Sequence, residues 1–312
     1  MHTMQKIFVL FFIFNSWAVA SPNKQVAITI DDLPGWQPVN QGIAEKILTS
    51  LSSALKKEKV PATGYLIGEL SQRTVDAKRA IEIWASTGLA LGNHTWNHIS
   101  YSKADSKDFW DGVKKTELVL EPLRNKYGPW PLSFRFPMLN QGNTQDKKLA
   151  ADEYLEKTKT LLAFVSIDTS DWAFAQYYDE AIEKNDAKKM KAIQSLYLNH
   201  IFDCIDYAEK ASKAVFLKQI PMIILLHANS LNAKKLNEII LHFKKLSYSF
   251  ISITDALNSE MYLPYRYKIP YTPSGDNFFA QMGHILIKDL PQPDRSSYDY
   301  FHKYWEPKLK NL

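Results

Sequence analysis

Short apolar runs alternate along this chain with longer segments whose apolar residues return every three or four positions. The strand-like runs are residues 26–30, 62–67, 89–91, 132–136, 163–167, 222–226 and 250–253. Helical patterns fill the intervals at 41–57, 75–87, 106–127 and 146–157. A long polar–apolar stretch then runs to about residue 218, followed by a helix at 233–246 and a short turn at 255–259. In the first helical segment Ile43, Ile47, Leu48, Leu51 and Leu55 share one face, the spacing of a helix with one buried side. Seven such strand–helix repeats predict an α/β chain, a parallel sheet with helices outside, closed into a barrel. After residue 260 the periodicity breaks. The segment 261–312 is rich in proline and aromatics, including Tyr262, Tyr265, Tyr271, Phe278, Phe279, Tyr300, Tyr304 and Trp305. Two readings of it stand open: a wrap that closes one side of the barrel, or a belt that stacks on sugar rings.

In a parallel barrel the chemistry gathers at the C-terminal ends of the strands, and that rule sorts the polar residues. Asp31 and Asp32 end the first run; His94 and His98 follow the third; Arg135 ends the fourth; Asp168 and Asp171 follow the fifth; His227 follows the sixth. One carboxylate of the acidic pair and the two imidazoles make a site for a divalent cation with positions left open, the arrangement of a catalytic rather than a structural metal. His200, His242, His284 and His302 fall on helical or tail patterns and are expected to be surface or capping groups. Cys204 lies on a helical stripe with Ile193, Leu196, Ile201, Ile205 and Ala208 and is expected to be a buried, inert thiol.

Composition narrows the setting. With 46% hydrophobic and 23% charged residues among 312, the chain is an ordinary globular protein. The net charge of +5 is mild, and no basic run forms a nucleic-acid footprint. Residues 1–20 read as a secretory signal: Lys6, an apolar stretch at 7–14, and Ala18-Val19-Ala20 before Ser21. The competing reading is a membrane anchor, but a spanning helix needs ~20 apolar residues, and Asn15 and Ser16 interrupt this one. Stable membrane insertion after cleavage is not expected. The single cysteine makes an internal disulfide impossible, so the export that the signal implies, to the periplasm or beyond, would occur without disulfides.

Five motifs, in order, carry a resemblance to a known family. They are Thr29-Ile30-Asp31-Asp32, His94-Thr95-Trp96-Asn97-His98, Arg135-Phe136-Pro137, Asp168-Thr169-Ser170-Asp171-Trp172 and Leu225-Leu226-His227. The ordered set resembles the polysaccharide deacetylases of carbohydrate esterase family four. It spans roughly residues 26–257. The resemblance implies a distorted (β/α)7 barrel over residues 21–260; a helical insertion at about 173–218 departs from it, and a C-terminal extension, 261–312, is expected to pack on the barrel. It also implies metal-dependent removal of acetyl groups from N-acetylated or O-acetylated saccharides. Asp32, His94 and His98 would hold the divalent ion, Zn2+ before Co2+, Mn2+ or Ni2+, which would polarise the acetyl carbonyl and acidify water.

The same resemblance gives roles to the rest. Asp31 would be the general base, oriented by Arg135. His227 would be the general acid, its charge favoured by Asp168 or Asp171. Trp172 and Leu225 would form the pocket for the acetyl methyl, and the Met138 N–H would help hold the oxyanion. Bland readings stand beside these: Arg135 as a loop salt bridge, Asp168 as a helix cap. The run Pro137-Met138-Leu139-Asn140-Gln141-Gly142 departs from the family pattern, which has an aromatic after the proline. The insertion is expected to stand over the active face and narrow a polysaccharide groove into a pocket. The rival functions are the same apparatus acting on a small non-sugar amide or ester, and a carbohydrate-binding protein without catalysis. Partners other than an acetylated saccharide, including any oligomer, leave no trace in the sequence.

Overall fold

The computed structural model describes residues 24–36, 42–270, 276–295 and 297–312. The expected signal at 1–20 and Tyr271 lie outside the described residues. Its centre is β1 (Lys24–Leu33), whose Val26, Ala27, Ile28 and Ile30 are buried on both faces, as a strand inside a parallel sheet requires. Around it run β2 (Ala62–Leu66), β3 (Ala90–Asn93), β4 (Ser133–Phe134), β5 (Leu161–Leu162), β6 (Met222–His227) and β7 (Tyr248–Phe250). The order is β5-β4-β3-β2-β1-β6, every pairing parallel, with β7 paired to the start of β1. Past β5 the chain swings back beside β6: Ile167 bridges Ile224, and the Leu225 N–H donates to Ile167 O at 3.0 Å. The circuit so completed is the distorted barrel the repeats predicted.

Helices α1 (Ile43–Glu58), α2 (Gly68–Gln72), α3 (Val75–Ser86), α4 (Ser106–Tyr127) and α5 (Gln145–Thr158) cover the first five strands. α1 buries Ile47, Leu48, Leu51 and Leu55, the face its spacing marked out, and stops where Lys59 turns left-handed at φ 55°. The predicted insertion is two helices rather than one. α6 (Asp171–Glu183) ends at Lys184, Asn185 takes φ 51°, and Asp186 caps the new start by accepting from Lys189 N at 2.9 Å. α7 (Ala187–Phe216) follows, then α8 (Ser230–Lys245) after β6 and α9 (Ile253–Leu257) after β7.

Two strand predictions need correction. The run 163–167 lies in the core, but only Leu161 and Leu162 form a ladder. Its carbonyls are taken elsewhere: Arg135 donates to Ala163 O (3.4 Å) and Phe164 O (3.0 Å), and the Phe278 N–H donates to Val165 O (2.7 Å). The run 250–253 ends its strand at Phe250, because Ser252 and Asp255 form a capping box that starts α9.

The C-terminal segment shares the main core. Tyr262, Phe278, Phe279, Phe301, Trp305 and Leu309 are all buried, and α10 (Phe278–Leu286) packs on α7. Most of the aromatic belt is therefore packing material. His200 also corrects the expectation of a surface group. It is fully buried, stacked on Phe174 with ring centroids 5.2 Å apart, and burial pulls its imidazole down to about 4. Cys204, likewise buried, places Sγ 3.5 Å from its Nε2.

Candidate active site

The strand exits open into a cavity of about 1110 Å³. Asp31 and Asp32 lie near the end of β1, and Asp32 takes left-handed backbone at φ 63°. Left-handed backbone recurs at Thr95 (67°), His98 (56°) and Met138 (56°), strain of a kind that gathers at functional sites. Residues 94–98 are accordingly not helical, and the two imidazoles meet through a loop. That loop is tied down: the Thr95 N–H donates to Asn93 Oδ1 (2.9 Å) and the His98 N–H to Thr95 Oγ1 (3.0 Å).

Asp32, His94 and His98 present one ligand atom each, all within 4.8 Å of one another. Asp32 Oδ1 lies 3.4 Å from His94 Nε2 and 3.2 Å from His98 Nε2. His94 Nδ1 faces the carbonyl of Arg135 at 2.8 Å, so the proton sits on Nδ1 and the Nε2 lone pair points inward. Asp32 Oδ1 is buried without a hydrogen-bond partner. Burial opposes the charge of Asp32, yet the two histidines hold its carboxyl well below the usual range. A buried, ionised oxygen without an assigned hydrogen-bond partner, set between the Nε2 atoms of two imidazoles, fits a divalent cation.

Asp31 is anchored instead of aimed at that point. Its Oδ1 accepts from Arg135 Nη1 at 2.8 Å, and its Oδ2 is 3.6 Å from His94 Nε2. Arg135 is fully buried; Nη1 also donates to Thr29 Oγ1 at 2.7 Å, and the guanidinium lies 4.6 Å from the Tyr65 ring centroid. Gly92 makes room for that ring, since a Cβ there would stand 2.4 Å from it. The bland reading of Arg135 as a loop salt bridge gives way to this contact with Asp31.

On the neighbouring strand His227 sits in register with Asp31. Its Nδ1 is 2.6 Å from Asp171 Oδ1, and its backbone N–H donates to Asp171 Oδ2 at 2.8 Å. Burial disfavours the imidazolium, but Asp171 overrides it and lifts His227 to about 10. Asp171 itself, though buried, is lowered by the same pairing. Of the two partners left open by the sequence, the structure pairs Asp171 with His227. Asp168 accepts from the Ser170 N–H at 3.2 Å just before α6, and burial raises its carboxyl to about 6 while it lines the cavity.

Leu225 is buried against Leu139 and Val165 at the cavity wall. Trp172 is partly exposed and lies 5.1 Å from Tyr298, a residue of the C-terminal segment. Met138, exposed, lines the same cavity on its strained turn. α6 forms one wall with Gln176, Asp179 and Glu183, so the first helix of the insertion borders the site while α7 packs behind it.

Several residues outside the predicted set complete the site. The Trp36 indole N–H donates to Asp32 Oδ2 at 2.7 Å. Asn229 donates to Asp171 Oδ2 at 3.1 Å, Asn232 donates to the same oxygen, and Tyr197 of α7 donates to Asn232 Oδ1. The Asn229-x-x-Asn232 spacing at the exit of β6 is the signal that could have drawn attention to the pair.

Similarity to known proteins follows the same outline. A family profile described as polysaccharide deacetylase matches residues 18–155. The chain is 28% identical over 159 residues to a peptidoglycan-N-acetylglucosamine deacetylase of Bacillus cereus, with 50% of each covered. The match thus spans about half the length of that relative. Among solved structures, a mutant of a CE4 family pseudoenzyme with restored enzymatic activity aligns at TM-score 0.50 and 21% identity, over 76% of this chain and 69% of that one. Its wild type comes from Bacillus anthracis. That likeness is one of fold.

Proposed function

We propose, from the premise that residues 18–155 belong to the polysaccharide deacetylase family, that this protein is a metal-dependent hydrolase removing acetyl groups from N-acetylated saccharides. The observation that carries the reading is the convergence of Asp32, His94 and His98 beside two separately wired groups, Asp31–Arg135 and His227–Asp171. Asp32, His94 and His98 would hold the ion, with zinc the first choice for a site of two imidazoles and one carboxylate. When bound, the ion supplies Lewis acidity towards the acetyl carbonyl and the attacking water. Asp31, fixed by Arg135, accepts the proton that the water gives up. His227, kept protonated at neutral pH by Asp171, donates a proton to the departing amine, so that water and amide become acetate and amine. Leu225 and Trp172 would shape the space for the acetyl methyl and the Met138 N–H would face the developing oxyanion, while Asp168 lines the same cavity.

The test is acetate release from metal-replete protein across N-acetylated oligosaccharides, acetylated xylans and simple acetylated amines. Release from the saccharides is expected, with Asp31→Asn retaining metal but losing turnover by roughly 10²-fold or more. Turnover of simple amides alone would favour the non-sugar rival. Saccharide binding without any release would favour the non-catalytic one. Full activity in Asp31→Asn would remove the base from the account.

A further inference from the structure

Resting on the metal-site reading above, we infer that Trp36 is a positioning residue for the ion, bracing two of its three protein ligands. The two oxygens of Asp32 face different partners. Oδ1 is the buried, unpartnered atom lying between the two Nε2 atoms, whereas Oδ2 accepts the Trp36 indole N–H at 2.7 Å. A carboxylate pinned through one oxygen offers the other in a fixed direction, as a single-oxygen ligand. The same indole meets the His98 ring edge-on, with centroids 5.5 Å apart and planes at 74°. His98 needs such support, because it is the more exposed of the two imidazoles and its backbone is strained at φ 56°. His94 is held differently, by the Arg135 carbonyl. Each ligand therefore has its own brace, and one side chain provides two of the three.

The indole is half exposed, so its place is not explained by burial of apolar surface. An exposed tryptophan whose N–H is spent on a metal-ligand carboxylate is doing positional work. Outer partners of this kind are worth about 10–100-fold in metal affinity.

The experiment is a chelator-competition titration of the full chain with Zn2+, paired with the visible absorption spectrum of the Co2+ form. Trp36→Phe keeps the ring beside His98 and deletes only the N–H. It is expected to weaken Zn2+ binding about tenfold or more and to alter the Co2+ spectrum, with the melting temperature of the metal-free protein unchanged. Trp36→Ala is expected to weaken binding further. Trp36→Gln, which restores a donor, is expected to recover part of the affinity lost in Trp36→Phe. Wild-type affinity and spectrum in Trp36→Phe would overturn the inference while leaving the metal site intact. Should the wild type itself bind neither ion, the metal-site reading falls and the role of Trp36 falls with it.

Discussion

Asp171 draws four N–H donors onto one buried carboxylate: both nitrogens of His227 that face it, and the side-chain amides of Asn229 and Asn232. Burial disfavours the His227 imidazolium, but the charge of Asp171, with Asp32 and Asp31 nearby, more than offsets it. Replacing Asp171 with Asn removes the negative charge and keeps the shape, so His227 should fall from about 10 towards its ordinary ~6.5 or lower. The alkaline limb of the kcat/KM profile is then expected to move down by roughly three pH units, and an unmoved limb would rule out His227 as the acid. Stability carries the same signature. A histidine raised on folding adds stability that is complete below the unfolded value of ~6.5 and drains away as pH climbs through about 10. The urea midpoint of the wild type should therefore decline across that window, and the decline should be smaller in Asp171→Asn. The ionisable members of this site could be read from the sequence, because each lies at the end of an apolar strand run or in the loop that follows it. Trp36 could not, and Asn232 showed only through its spacing from Asn229: a neutral donor to a carboxylate leaves no periodic mark. His200 did leave one, three residues past Tyr197 and four before Cys204 on the buried stripe of α7, and it pointed inward.

At the scale of elements, α7 is wired to the candidate site through a chain of buried side chains. The Tyr197 hydroxyl donates to Asn232 Oδ1, and Asn232 Nδ2 holds both Asp171 Oδ2 and the carbonyl of His227, the latter at 2.9 Å. Tyr197 and Asn232 are fully buried, so neither can replace a lost partner with bulk water. Tyr197→Phe should cost about 1–3 kcal/mol by leaving the Asn232 oxygen unpaired. It should also shift the alkaline limb in the same direction as Asp171→Asn but less far. A normal pH profile with lowered stability would make α7 packing only. Helices were legible to within a few residues because their period persists over several turns; α4 begins at Ser106 and ends at Tyr127, as its pattern indicated. Two-residue strands such as β4 and β5 have no period to read. The apolar run at 163–167 signalled burial, while its actual hydrogen-bond partners, Arg135 and Phe278, lie 28 residues before it and over a hundred residues after it.

For the molecule as a whole, the three candidate ligands come from only two strand exits, those of β1 and β3, with β2 running between them. A bound ion would therefore clamp the barrel's mouth across one intervening strand. It would also relieve the cost of an ionised Asp32 buried with an unpartnered oxygen. Binding to the folded state alone stabilises by about 2.7 kcal/mol at a hundredfold excess over Kd. For a domain of this size that amounts to roughly 4–5 °C in melting temperature. Chelation should reverse the gain, and re-addition of Zn2+ should restore it. His98→Ala separates this from adventitious binding, since removing one of three ligands should abolish most of the shift while leaving the barrel core untouched. An equal shift in wild type and His98→Ala would locate the stabilising ion elsewhere on the molecule. A shift confined to the wild type would tie the ion to the place where the β1 and β3 exits meet, beside the carboxylate that Arg135 holds and opposite the histidine that Asp171 keeps charged.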